Sequence, residues 1–105
     1  MSSSNSDPVS VLCIYRVKEG KEAAFRPLLE KHWPTLDSVG LVTSAPARWY
    51  LGEGKNGQKC FIEMFEWKDA KASGTAHELP DVMAVWEPMG ALVDDMEFID
   101  IERLG

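Results

Sequence analysis

The stretch Lys59-Cys60-Phe61-Ile62-Glu63-Met64-Phe65-Glu66-Trp67 decides how this chain folds. Its run of aromatic and aliphatic side chains after a glycine-rich segment reads as a β-strand. Glu63 stands in the middle of it, and a carboxylate buried in such a strand must be hydrogen-bonded, paired with a cation, or kept neutral.

Working upstream, Gly52-Glu-Gly-Lys-Asn-Gly57 reads as a hairpin turn in which Asn56-Gly57 supplies positive φ angles. The segment 42–51 (VTSAPARWYL) is then a second strand, edge or bulged because Pro46 lacks an N–H. Nearer the start, VSVLCIYRV ending at Val17 carries apolar groups on both alternating faces and predicts a strand covered on both sides. Phe25, Leu28, Leu29, His32 and Leu36 share one helical face, so a helix is expected over 21–38, stopped by Gly40 and kinked by Pro27 and Pro34.

Downstream, Asp69 can cap a second helix that Gly74 weakens and Pro80 interrupts, and that resumes with Val82, Val85, Trp86, Met89 and Val93 on one face. Residues 96–101 (MEFIDI) alternate as a last strand. The order βαββαβ predicts an α+β ferredoxin-like domain, a four-stranded antiparallel sheet with two helices on one face. Its other face also needs cover, and the simplest cover is the sheet of a second copy, giving a two-fold homodimer.

A chain of 105 residues supports one core, here assigned to 8–105, with the polar residues 1–7 as a disordered tail. The net charge of −6 argues against nucleic acid and anionic lipid as partners. With no apolar run near membrane-spanning length and no basic leader at the start, a soluble cytoplasmic protein is expected. Cys13 and Cys60 fit a reducing compartment and match no metal-ligand spacing.

The first strand ending in Lys18-Glu19-Gly20, the third ending in Phe65-Glu66-Trp67-Lys68, and Ala76-His77-Glu78-Leu79-Pro80 resemble the antibiotic biosynthesis monooxygenase family, dimeric α+β barrels. The resemblance runs from Val9 to Leu104. It implies a small pocket between sheet and helices. Trp67 matches the tryptophan that ends the third strand in many members, which turns Phe61, Glu63, Phe65 and Trp67 toward the helices. Cys60, Ile62, Met64 and Glu66 would then face the barrel, and Val11, Cys13 and Tyr15 the helices. The two cysteines would lie on opposite faces and form no disulfide.

In the haem-degrading branch an Asn and an iron-ligating His occupy the positions of Cys13 and Trp86, so no haem is expected. In the branch that makes quinones from phenolic polyketides, a pocket Asn takes the place of Glu63. The resemblance thus implies a small cofactor-independent monooxygenase for an aromatic or polyketide-like molecule. An isomerase or dehydratase, or a ligand-binding dimer without activity, would use the same pocket.

The candidate catalytic residues are Glu63, His32 and His77, an acid–base set if they converge. The candidate substrate-binding residues are Cys13, Tyr15, Phe65, Trp67 and Trp86. Each has a plainer reading: Glu63 held by a backbone donor or by Arg16 or Arg48, His32 as a satisfied core imidazole, His77 as a helix-end cap, Trp86 as packing. Two His and a Glu without an H-x-x-x-H pair make a poor metal set, and no metal is expected.

Overall fold

The structure is a computed structural model and describes residues 7–104. Four strands, β1 (Val9–Val17), β2 (Arg48–Glu53), β3 (Lys59–Trp67) and β4 (Val93–Ile101), form one antiparallel sheet in the order β2-β3-β1-β4. Three helices, α1 (Glu22–Ser38), α2 (Ala72–Ala76) and α3 (Pro80–Ala91), complete it. This is the expected α+β ferredoxin-like arrangement. No helix among the described residues is long and apolar enough to cross a membrane.

The alternation in β1 and β3 places the core. Val11, Cys13, Tyr15 and Val17 are buried on one face of β1, and Phe61, Glu63, Phe65 and Trp67 on the same face of β3. Helix α1 lays Phe25, Leu29, His32 and Leu36 on that face, and α3 adds Val82, Val85 and Met89. Full burial of side chains such as Phe25 and Leu36 stabilises by roughly 1.5–3 kcal/mol each. Cys13 and Cys60 lie on opposite faces and are both free.

Three local expectations need correcting, at residues 42–47, in the second helical region and at the start of β4. Residues 42–47 are not strand: a single bridge, Val42 to Trp67, joins them to the sheet before β2 begins at Arg48. Helix α1 is continuous across Pro27 and Pro34, each of which forgoes one backbone bond. The second helical region is two helices, because Pro80 forces the preceding Leu79 to an extended conformation (φ −101, ψ 121) and then starts α3 afresh. Finally, β4 starts at Val93, directly after α3, with Asp94 bulged out between the Arg16–Asp95 and Val17–Val93 pairs.

The β2–β3 hairpin also closes differently. Only Gly57 has a positive φ (81), and Asn56 instead accepts the Gln58 N–H on its side-chain oxygen at 3.0 Å. Gly57 N–H bonds to Gly54 O and Gly54 N–H to Gln58 O, a turn ended by a left-handed glycine. That loop sets a register in which Trp49 lies opposite Glu63.

Candidate active site

Glu63 sits at the centre of the sheet's helix-covered face and is 0 % exposed. Three elements deliver donors to it. From β1, the Tyr15 hydroxyl donates to Oε1 at 2.7 Å. From α1, His32 Nδ1 meets the same oxygen at 2.7 Å. From β2, Trp49 Nε1 donates to Oε2 at 2.9 Å, as the hairpin register allows.

The far side of the imidazole fixes its state. Trp86 Nε1 on α3 approaches His32 Nε2 at 2.7 Å, and an indole N–H can only donate. Nε2 must therefore carry the lone pair, so the proton is on Nδ1 and is donated to Glu63. His32 is neutral, and the short contact to Glu63 is a hydrogen bond rather than an ion pair. All of Glu63's partners are donors, which suits an ionised carboxylate held without any cation.

Glu63's charge acts on its neighbours. Burial, then the Glu63 carboxylate, pushes the Tyr15 hydroxyl well above its usual value. Burial first and Glu63 second likewise push the Cys13 thiol far up, so it stays protonated and unreactive.

A cavity of about 170 Å³ opens beside His32, with Phe65 and Trp67 from the sheet, Ser73 and His77 from the α2 region, and Trp86 from α3. Phe98 and Asp100 of β4 close its outer side. A second cavity of about 170 Å³ also borders Trp86 and His77, with Tyr15, Met89, Met96 and Phe98. Each is near the size of an apolar cavity that accepts one benzene ring. Phe65 meets the His32 ring edge-on at 5.6 Å and helps fix its plane.

The structure thus brings Glu63, His32, Tyr15 and Trp86 into one hydrogen-bonded chain, and Phe65 and Trp67 into the adjoining cavity wall. His77 is exposed and does not join that chain; its ring packs edge-on against Trp86 at 4.8 Å, at the cavity mouth. Cys13 is fully buried and lines neither cavity. No arginine clamps Glu63: Arg16 turns to the opposite face, where it holds Asp95 and Glu97, and Arg48 lies opposite Met64. Trp49 was not among the expected site residues, because a two-residue turn at Asn56-Gly57 pairs Tyr50 and not Trp49 with Glu63. Among the described residues no group of three His, Cys, Asp or Glu side chains is placed to hold a metal ion.

No family model matches the sequence, and no curated protein is similar to it in sequence. Solved structures are similar in fold. SnoaB from Streptomyces nogalater, a cofactor-independent oxygenase, superposes with a TM-score of 0.68 at 15 % identity, over 92 % of this chain and 93 % of that one. A protein described as an antibiotic biosynthesis monooxygenase gives 0.67 at 14 % identity, over 92 % and 99 %. A NIPSNAP family protein from Agrobacterium tumefaciens gives 0.68 at 14 % identity, over 99 % and 92 %. Strand order and these likenesses together give the chain the ferredoxin-like fold of the antibiotic biosynthesis monooxygenases.

Proposed function

We propose that this chain is a small cofactor-independent monooxygenase in which His32, oriented by Glu63, takes an acidic proton from an aromatic or polyketide-like substrate between sheet and helices. The observation that supports this most is the Glu63–His32 pair beside the cavity, with the lone pair of His32 on Nε2, where only the Trp86 indole caps it. Glu63 is fully buried and lines neither cavity, so it does not meet the substrate. It holds the Nδ1 tautomer and stabilises the imidazolium that forms, the role a buried acid plays beside a catalytic histidine.

A balanced course follows for a ring methylene flanked by carbonyl or phenol groups. The enol tautomer gives its O–H proton to His32 Nε2, and the resulting carbanion reduces dioxygen while forming a C–O bond, leaving a peroxide anion. The imidazolium returns the proton to give a hydroperoxide. Loss of the remaining C–H proton and of hydroxide, together one water, leaves the carbonyl of a quinone. Dioxygen is the only oxidant. Phe65, Trp67 and Trp86 would hold the ring, and His77 at the mouth would meet its outer substituents.

Oxygen uptake with a panel of anthrones and naphthols tests this. A His32→Gln variant, which offers an amide donor to Glu63 and is checked for folding by circular dichroism, should lose at least about 100-fold in kcat, the usual worth of a positioned base. An unchanged rate removes His32 from the chemistry. Substrate deuterium exchange without oxygen uptake assigns the base to an isomerase or dehydratase instead.

We further propose a homodimer through the sheet face that the helices leave bare. Register places Leu12, Ile14, Ile62, Met64, Tyr50 and Ile99 together there, with Tyr50 50 % and Ile99 39 % exposed. An apolar area of that kind favours a partner. Sedimentation should show a dimer that Ile62→Lys converts to monomer; a wild-type monomer at high concentration would exclude it.

A further inference from the structure

The base proposed for His32 is not free in this structure. Its Nε2 is capped by the Trp86 indole N–H at 2.7 Å, so any substrate that is to donate a proton there must first displace an indole. The surroundings provide for such a displacement. Trp86 is half-buried and lines two empty volumes, one shared with His32 and the other with Met89, Met96 and Phe98.

The two volumes differ in chemistry. The first has polar groups in its wall, His32, Ser73 and Asp100, while His77 borders both. The second is walled mainly by thioethers and aromatic rings, and methionine side chains adapt readily to an incoming ring. The Met96 methyl lies 3.7 Å from where a Cβ on Gly90 would stand, so its unbranched chain lies against α3 at its smallest residue.

We infer that Trp86 is a swinging gate: an aromatic ligand bearing a hydroxyl places its O–H on His32 Nε2 in exchange for the indole N–H, and the indole turns into the second cavity. This rests on the reading of His32 as the substrate-facing base. The exchange selects for ligands with a donor, because one that opened the gate without donating would leave both Nε2 and the indole N–H unsatisfied. It also keeps the base capped when no substrate is bound. Trp86 is thus a specificity-determining residue, and the ligand class is hydroxylated arenes of one or two rings.

Binding measurements test the gate independently of any turnover. The probes are 2-naphthol and 2-methoxynaphthalene, which differ by the O–H. The Trp86 indole proton resonance, identified by its absence in Trp86→Phe, should move upfield on saturation with 2-naphthol, into the range of indoles lacking an acceptor. 2-Methoxynaphthalene should bind at least about tenfold more weakly. Trp86→Phe should bind 2-naphthol about fivefold more tightly, the worth of one hydrogen bond no longer given up. Met96→Phe fills the receiving cavity and should weaken 2-naphthol binding to the otherwise unchanged protein, an effect that shrinks to within twofold in the Trp86→Phe background.

An indole resonance unmoved at saturation, or equal affinity for the two probes, overturns the gate, and the wild-type protein alone supplies both readings. Failure of both probes to bind overturns it together with the reading of the site. Indole displacement without oxygen uptake from any substrate sustains the gate and removes the oxygenase. Oxygen uptake with the indole unmoved does the reverse.

Discussion

Tyr15 and Arg16 are neighbours on β1 that point to opposite faces of the sheet, and each holds a carboxylate at 2.7 Å. The two arrangements have little else in common. Arg16 is a cation with a 37 % exposed side chain and two acids on β4, Asp95 and Glu97, themselves about half exposed. Tyr15 is one of three neutral donors around an acid that water never reaches. If a partner is removed on the outer face, water and salt replace it. On the inner face nothing replaces it, so each donor becomes obligatory. The lesson is that formal charge pairing is the poorer guide to importance here: the cluster without a cation is the one on which both core and site depend.

The sharpest way to break this contrast is Glu63→Ala. It strips acceptors from Tyr15, His32 and Trp49 at once and leaves a void, so a loss of about 3–5 kcal/mol is expected in urea unfolding. A loss below about 1 kcal/mol would mean that the three donors find other acceptors. Tyr15→Phe removes one hydrogen bond to a charged group and should cost about 2 kcal/mol.

Tyr15→Phe should also change the pH profile. Tyr15 and Cys13 both have raised values in the fold, above the ordinary 10.0 and 9.0. Below about pH 8 both are protonated whether folded or not, and contribute no slope. As the pH rises, the unfolded chain ionises first, so stability falls above about pH 8. The variant should keep only the Cys13 part of that alkaline loss. Arg16→Ala, the smallest effect, should leave the urea midpoint within replicate scatter at moderate salt. A clear drop there would erase the distinction between the two faces.

Much of this was legible in the chain. The stripe of α1 put His32 against the sheet, and the match of Trp67 to the family's strand-ending tryptophan, carried along the strand by its two-residue period, turned Glu63 to the same side. The Trp49 contact was hidden by the hairpin loop. A two-residue turn at Asn56-Gly57 and the observed loop ending in left-handed Gly57 give different cross-strand partners, and the partner is what matters. The early start of β4 was masked by Asp94 and Asp95, poor strand formers, one of them bulged and the other paired opposite Arg16. His77 looked well placed beside the Pro80 break, yet α2 ends just before it and leaves its ring outside the network.

The placement of the two thiols has a practical consequence. Cys13 lies sealed in the core and Cys60 on the bare face of the sheet, its sulfur 3.3 Å from where a side chain on Gly52 would begin. A disulfide reagent added to the native protein should therefore read two clocks: a fast one at Cys60 that reports what covers that face, and a slow one at Cys13 that ticks only when the whole domain opens.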